Sequence, residues 1–145
     1  MIALIQRVLE ASVEVDRSFV GVIGPGILAF VGVQREDNET LARRLFERII
    51  GYRIFADGEG RMNRSLVDIS GELLLVPQFT LAADTSKGAR PSFSSAAPPE
   101  KGEILFDYLV TLARERHPQV ATGRFGANMK VHLVNNGPVT FWLEV

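Results

Sequence analysis

One run, Ile27-Leu28-Ala29-Phe30-Val31-Gly32-Val33, constrains this 145-residue chain more than any other feature. It is apolar throughout and rich in β-branched residues. It follows Gly24-Pro25-Gly26, a strong turn signal. Such a run, bounded by a turn and lacking polar alternation, reads as a buried strand. Its neighbours share strand character. Ser12-Val13-Glu14-Val15-Asp16 alternates polar and apolar residues, the period of a half-buried strand, and Phe19 to Ile23 follows a short turn. Further strands are expected at Tyr52 to Phe55, Glu72 to Phe79, Lys130 to Val134 and Val139 to Val145. Asp57-Gly58-Glu59-Gly60 reads as a turn.

Two segments carry helical spacing. Leu41, Leu45 and Ile49 recur every four residues beside Ala42 and Phe46, with Asp37-Asn38 as a cap and Gly51 as a stop. Pro98-Pro99-Glu100 opens a second helix with Leu105, Tyr108, Leu109 and Leu112 as its apolar stripe. Arg114, Arg116 and His117 suit its C-terminal end, where His117 is expected to be exposed, and Pro118 ends it. Residues 83 to 99 read as a loop, and a loop of that length in a compact domain is often functional. The expectation is one α/β domain over residues 1–145, compact and β-rich, with a barrel-like sheet and two principal helices.

Composition narrows the chemistry. No cysteine is present, which excludes disulfides, thiolate catalysis and cysteine metal sites. His117 and His132 are the only imidazoles, too few for a three-histidine zinc site, and no clustered acidic motif offers a carboxylate site. No metal is expected. No apolar run is long enough to span a membrane, and no basic region precedes the first apolar stretch, so a cytoplasmic protein is expected. The formal charge of −1 argues against a broad electrostatic RNA binder but permits a protein that touches only a few phosphates.

Two short segments could carry chemistry. Gly137-Pro138 stands between apolar strands and after two asparagines. Standing alone, the dipeptide is most simply a tight turn; as a site, its glycine would let backbone approach a ligand closely. Val76-Pro77-Gln78-Phe79-Thr80-Leu81 is either the end of a core strand with Phe79 buried, or a site with Gln78 and Thr80 as its polar groups.

Taken together, these segments resemble the D-aminoacyl-tRNA deacylase family. That family carries a Gln-Phe-Thr-Leu segment, matched by Gln78 to Leu81, and an Asn-x-Gly-Pro-Val-Thr segment, matched by Asn135 to Thr140. Similarity extends to Ile5-Gln6-Arg7-Val8, Ala11-Ser12-Val13, Met62-Asn63, the loop Asp84 to Phe93 and Thr122 to Met129. One departure is Pro77, where the family usually has serine; proline offers neither hydroxyl nor N–H.

The resemblance implies a homodimer with the active site at the interface, hydrolysing the ester between a D-amino acid and the terminal ribose of tRNA without cofactor or metal. It implies a cis Gly137-Pro138 bond whose carbonyls fence the aminoacyl group in the partner's pocket. Gln78, Phe79 and Thr80 would line that pocket, Phe125 and Met129 would hold the terminal adenosine, and Arg7 would orient the Gly-Pro loop. No histidine lies near Thr80 in sequence, so a side-chain nucleophile is poorly supported. Backbone N–H groups around Phe79 and Thr80, with the tRNA's ribose hydroxyl activating water, form the family-level alternative. The gate would pass Gly-tRNA as well. Two other classes compete: a non-catalytic tRNA-binding module, since residues 43 to 64 carry six arginines against three acids, and a threonine-dependent small-molecule esterase.

Overall fold

A computed structural model describes Met1–Val145 in full. Eight strands and two helices occur in the order β1 (Ile2–Val15), β2 (Ser18–Ile23), β3 (Gly26–Gly32), α1 (Glu39–Gly51), β4 (Phe55–Ala56), β5 (Met62–Arg64), β6 (Glu72–Pro77), α2 (Pro99–Arg116), β7 (Val120–Thr122) and β8 (Lys130–Glu144). A short 3-10 turn, Phe79–Ala82, follows β6.

The long strand β1 organises the sheet. β8 runs antiparallel along nearly its whole length, so β3 and β2 must share the opposite edge, β3 beside residues 2–8 and β2 beside residues 11–15. β6 adds to β3 in parallel, and β7 adds to β6 in parallel. The sheet then curls until its two ends meet. A Cβ on Gly21 of β2 would stand 2.6 Å from the Thr122 carbonyl oxygen of β7. The result is a nearly closed, barrel-like sheet in a single α/β domain.

Both faces of the central strands are covered. Ile27, Ala29 and Val31 pack with Leu73 and Leu75 against buried residues of the helices, among them Leu45, Phe46, Ile49, Leu105 and Leu109. Leu28, Leu74 and Val76 point the other way, onto Val8, Val13 and Ile23 inside the curl. The unbroken apolar run of β3 is therefore what its position demands. Asn38 caps α1 by accepting from the Leu41 amide, while buried Asp37 accepts from the Gln34 amide and pairs with the Met1 amino group at 2.7 Å.

Four expectations need correction. Tyr52 to Ile54 is not a strand: only Phe55–Ala56 pairs, with β5, while Tyr52 stacks edge-on with Phe141 at 5.4 Å. The segment Glu72 to Phe79 stops being a strand at Pro77, and Phe79 starts a turn in which the Leu81 amide donates to the Gln78 carbonyl. Phe79 is consequently 57% exposed rather than buried. The two closing strands are one continuous β8 that bulges in the middle. His117 is buried, because the chain leaves α2 in an extended conformation and turns the ring inward to the Gly71 carbonyl, 2.7 Å from Nε2.

Candidate active site

The parallel strands β3, β6 and β7 end on the same side of the sheet, the usual place for a ligand crevice in an α/β fold. A cavity of about 420 Å3 opens there. Val31 and Val33 from the end of β3, Pro77, Gln78 and Phe79 from the end of β6, and Phe125 and Met129 beyond β7 contribute its walls. Pro99, Gly102 and Phe106 of α2 close the remaining side. Mostly apolar walls with few polar groups suit a ligand that carries a flat base or a side chain.

Each site element has a local cause. Pro77, which lacks an N–H, is the last residue of β6; the Gln78 amide makes the final rung to β3, donating to the Val31 carbonyl at 2.8 Å, and the chain then turns. Gln78 Nε2 donates to Thr80 Oγ1, which ties two polar side chains across the turn. Phe79 packs on Phe93 of the long loop with ring centres 5.1 Å apart. That loop is pinned at its base by reciprocal Asp84 and Ser92 backbone hydrogen bonds. Hydrogen bonds from Ser86 hold the Asp84 carboxyl below the usual aspartate range. Phe125 lies 6.5 Å from Phe106 and against Gly102, where an added Cβ would meet its ring at 3.3 Å. Met129 Sδ accepts from the Arg124 amide at 3.3 Å.

The structure thus gathers Gln78, Phe79, Phe125 and Met129 around one cavity, with Thr80 exposed on the adjoining turn. It does not bring Arg7, Gly137 or Pro138 to that cavity. These three form a second constellation on the β1–β8 pair. The ladder pairs Val8 with Asn135 and Gln6 with Thr140, so the four residues 136–139 bulge opposite Arg7 alone. The Gly137-Pro138 bond in the bulge is cis, and both residues are exposed. Arg7 donates from Nε to the Asn136 carbonyl at 2.8 Å and from Nη1 to the Ile54 carbonyl at 2.6 Å.

Neither imidazole joins Thr80. His117 is committed to Gly71, and His132, on β8, has its Nε2 3.6 Å from Glu14. Sequence reasoning missed the α2 wall and the Ile54 carbonyl. Gly102, a glycine inside a helix, was the available signal for close packing there.

The family model described as D-Tyr-tRNA(Tyr) deacylase matches residues 4–144. The D-aminoacyl-tRNA deacylase of Thioalkalivibrio sulfidiphilus is 67% identical over 145 residues, covering 100% of this chain and 97% of that protein. The D-aminoacyl-tRNA deacylase of Alkalilimnicola ehrlichii is 66% identical over 144 residues, covering 99% and 96%. Among solved structures, a c-Myc DNA unwinding element binding protein superposes with a TM-score of 0.95 at 36% identity, over 100% of this chain and 99% of that one. A probable eukaryotic D-amino acid tRNA deacylase superposes with a TM-score of 0.83 at 17% identity over 99% and 98%, a likeness of fold.

Proposed function

The chain belongs to the D-Tyr-tRNA(Tyr) deacylase family, and we propose that it hydrolyses the ester of D-aminoacyl-tRNA through a site completed by a second subunit. The observation that carries this reading is the separation of two constellations. Gln78, Phe79, Phe125 and Met129 line the cavity, and the Arg7-anchored Gly137-Pro138 bulge lies outside that lining. In a homodimer each bulge would enter the partner's cavity.

In this reading Phe125 and Met129 hold the terminal adenosine, which places the aminoacyl ester beside Gln78, Phe79 and Thr80. Backbone N–H groups of Phe79 and Thr80, first in their turn and without an acceptor inside it, face the developing oxyanion. The ribose hydroxyl of the tRNA helps to activate water, because Thr80 is without a histidine base. The carbonyls of the Gly137-Pro138 bulge stand where an L-side chain would lie. They exclude it by a clash and admit any D-residue, and glycine too, since it has hydrogen in both positions. No cofactor is required. An enzyme of aminoacyl-tRNA works in the cytoplasm, and no helix of the chain is long and apolar enough to cross a membrane.

The deciding experiment is a deacylation assay on matched D-Tyr-tRNA, L-Tyr-tRNA and Gly-tRNA. Rapid release from the D-form, release from glycine and near-zero release from the L-form are expected. Equal rates on D- and L-forms would overturn the gate, and binding without turnover would leave only a tRNA-binding module.

A further inference from the structure

Asn135 behaves as more than the first residue of the bulge. Four residues opposite one leave backbone polar groups without ladder partners, and such groups need substitutes. The Asn135 side chain supplies them for Val139. Its Oδ1 accepts from the Val139 amide at 2.8 Å, and its Nδ2 donates to the Val139 carbonyl at 3.2 Å. The same Nδ2 donates to Thr140 Oγ1 at 3.0 Å. A side-chain amide thus does for Val139 what the main chain of a neighbouring strand would do, and it closes the C-terminal leg of the bulge. The N-terminal leg is held separately, by Arg7 on the Asn136 carbonyl. Gly137 and Pro138 hang between these two anchors.

We propose that Asn135 is a positioning residue for stereochemical selection: its side-chain amide sets the direction of the Gly137 and Pro138 carbonyls. This rests on the gate reading given above. The ladder holds the base of the bulge at Asn135 and at Thr140, and Arg7 fixes Asn136, but none of these holds Val139. The Asn135 side chain adds the hold on Val139, so both residues that flank Gly137-Pro138 are tied down. Asparagine is the residue this requires. It presents one acceptor and one donor face side by side, matching the N–H and C=O of a single residue. Aspartate would keep the acceptor for the Val139 amide but set an oxygen against the Val139 carbonyl. Alanine would remove all three bonds. Half-buried Asn135 does not line the cavity and its side chain bonds only within the bulge and to Thr140, so its effect on the reaction would pass through the bulge.

The test measures kcat/KM on D-Tyr-tRNA and on L-Tyr-tRNA for the wild type, Asn135→Ala, Asn135→Asp and Gly137→Ala, with circular dichroism and light scattering as controls of fold and assembly. The D-to-L ratio is expected to fall about tenfold in Asn135→Ala, the scale of one or two net hydrogen bonds, and less in Asn135→Asp. A purely structural role would lower both rates together and leave the ratio at its wild-type value, which would overturn the proposal. Should Asn135→Ala fail to fold, Asn135→Asp decides alone on the same criterion. Wild-type activity and ratio in Gly137→Ala would instead sink the gate reading beneath it, a separate result from an unchanged ratio in the Asn135 variants.

Discussion

Gly137 sits where only glycine fits. Its φ of +150° lies in the region that side chains rarely adopt, and an added Cβ would stand 2.6 Å from Val139 Cγ2, 2.9 Å from the Val139 amide nitrogen and 3.2 Å from Arg7 Nη2. Gly137→Ala must therefore displace the bulge against both of its anchors. Displacements of about 1 Å near a reaction centre cost on the order of 100-fold in rate, and a loss of that size in D-Tyr-tRNA deacylation is expected. The variant should stay folded, because the residue is exposed and outside the core. Full activity would show that the bulge is only a turn. Thr80 gives the opposite expectation. Its hydroxyl is bonded to Gln78 and approached by no imidazole. Thr80→Ala should lose only the value of a neutral hydrogen bond, about tenfold or less in kcat/KM. Quenched reaction mixtures examined by mass spectrometry should contain no aminoacyl-enzyme, and an adduct on Thr80 would refute this.

Among the elements, what could be read in the chain depended on how regular each element is. β3, α1 and the start of α2 follow simple rules of run, period and cap, and their bounds fall within a residue or two of expectation. Phe79 was unreadable as a turn residue, because Leu73 to Phe79 is one apolar stretch broken only by Pro77 and Gln78. The bulge in β8 looked like a gap between two strands, since pairing to a distant partner leaves no local mark. His117 carried a surface pattern, and only the tertiary approach of Gly71 buried it. The turn after β4 was legible, and its chemistry yields a prediction. The Asp57 carboxylate accepts from the Asn63 side chain and from the Arg61 and Glu59 amides, and these bonds hold its pKa below the ordinary aspartate range, the Asn63 bond contributing most. A carboxyl lowered in the folded state stabilises the turn above its unfolded value, near 3.9, and that contribution is lost as pH falls through the folded value. The Glu59 and Arg61 amide resonances should therefore titrate together in NMR spectra, with a midpoint below about 3.9. A midpoint at or above that value would contradict the bonding described.

At the scale of the whole molecule, the surface argues for a partner. Leu9, Val22, Leu133 and Val134 are exposed on the β1–β2–β8 side, and Trp142 is 50% exposed further along β8. Exposed apolar residues grouped on one side of a small domain mark an association surface. The Gly137-Pro138 bulge follows on the same strand, directly after Val134 and Asn135. A two-fold dimer uses the same patch on both subunits, so burying one bulge in the partner's cavity buries the other reciprocally. Light scattering should then give about twice the 16.0 kDa chain mass. The sharper test separates a bulge acting across the interface from one acting within its own chain. Gly137→Ala impairs the bulge and spares the cavity; Gln78→Ala impairs the cavity and spares the bulge. Each variant alone has two defective sites per dimer. Co-expressed, the two chains assort at random, and about half of the dimers are mixed. In a mixed dimer the intact cavity of the Gly137→Ala chain meets the intact bulge of the Gln78→Ala chain, so one site in two is whole. Activity should return to about a quarter of the wild-type value. If each bulge served its own subunit, every site in the mixture would keep one defect, and co-expression would restore nothing.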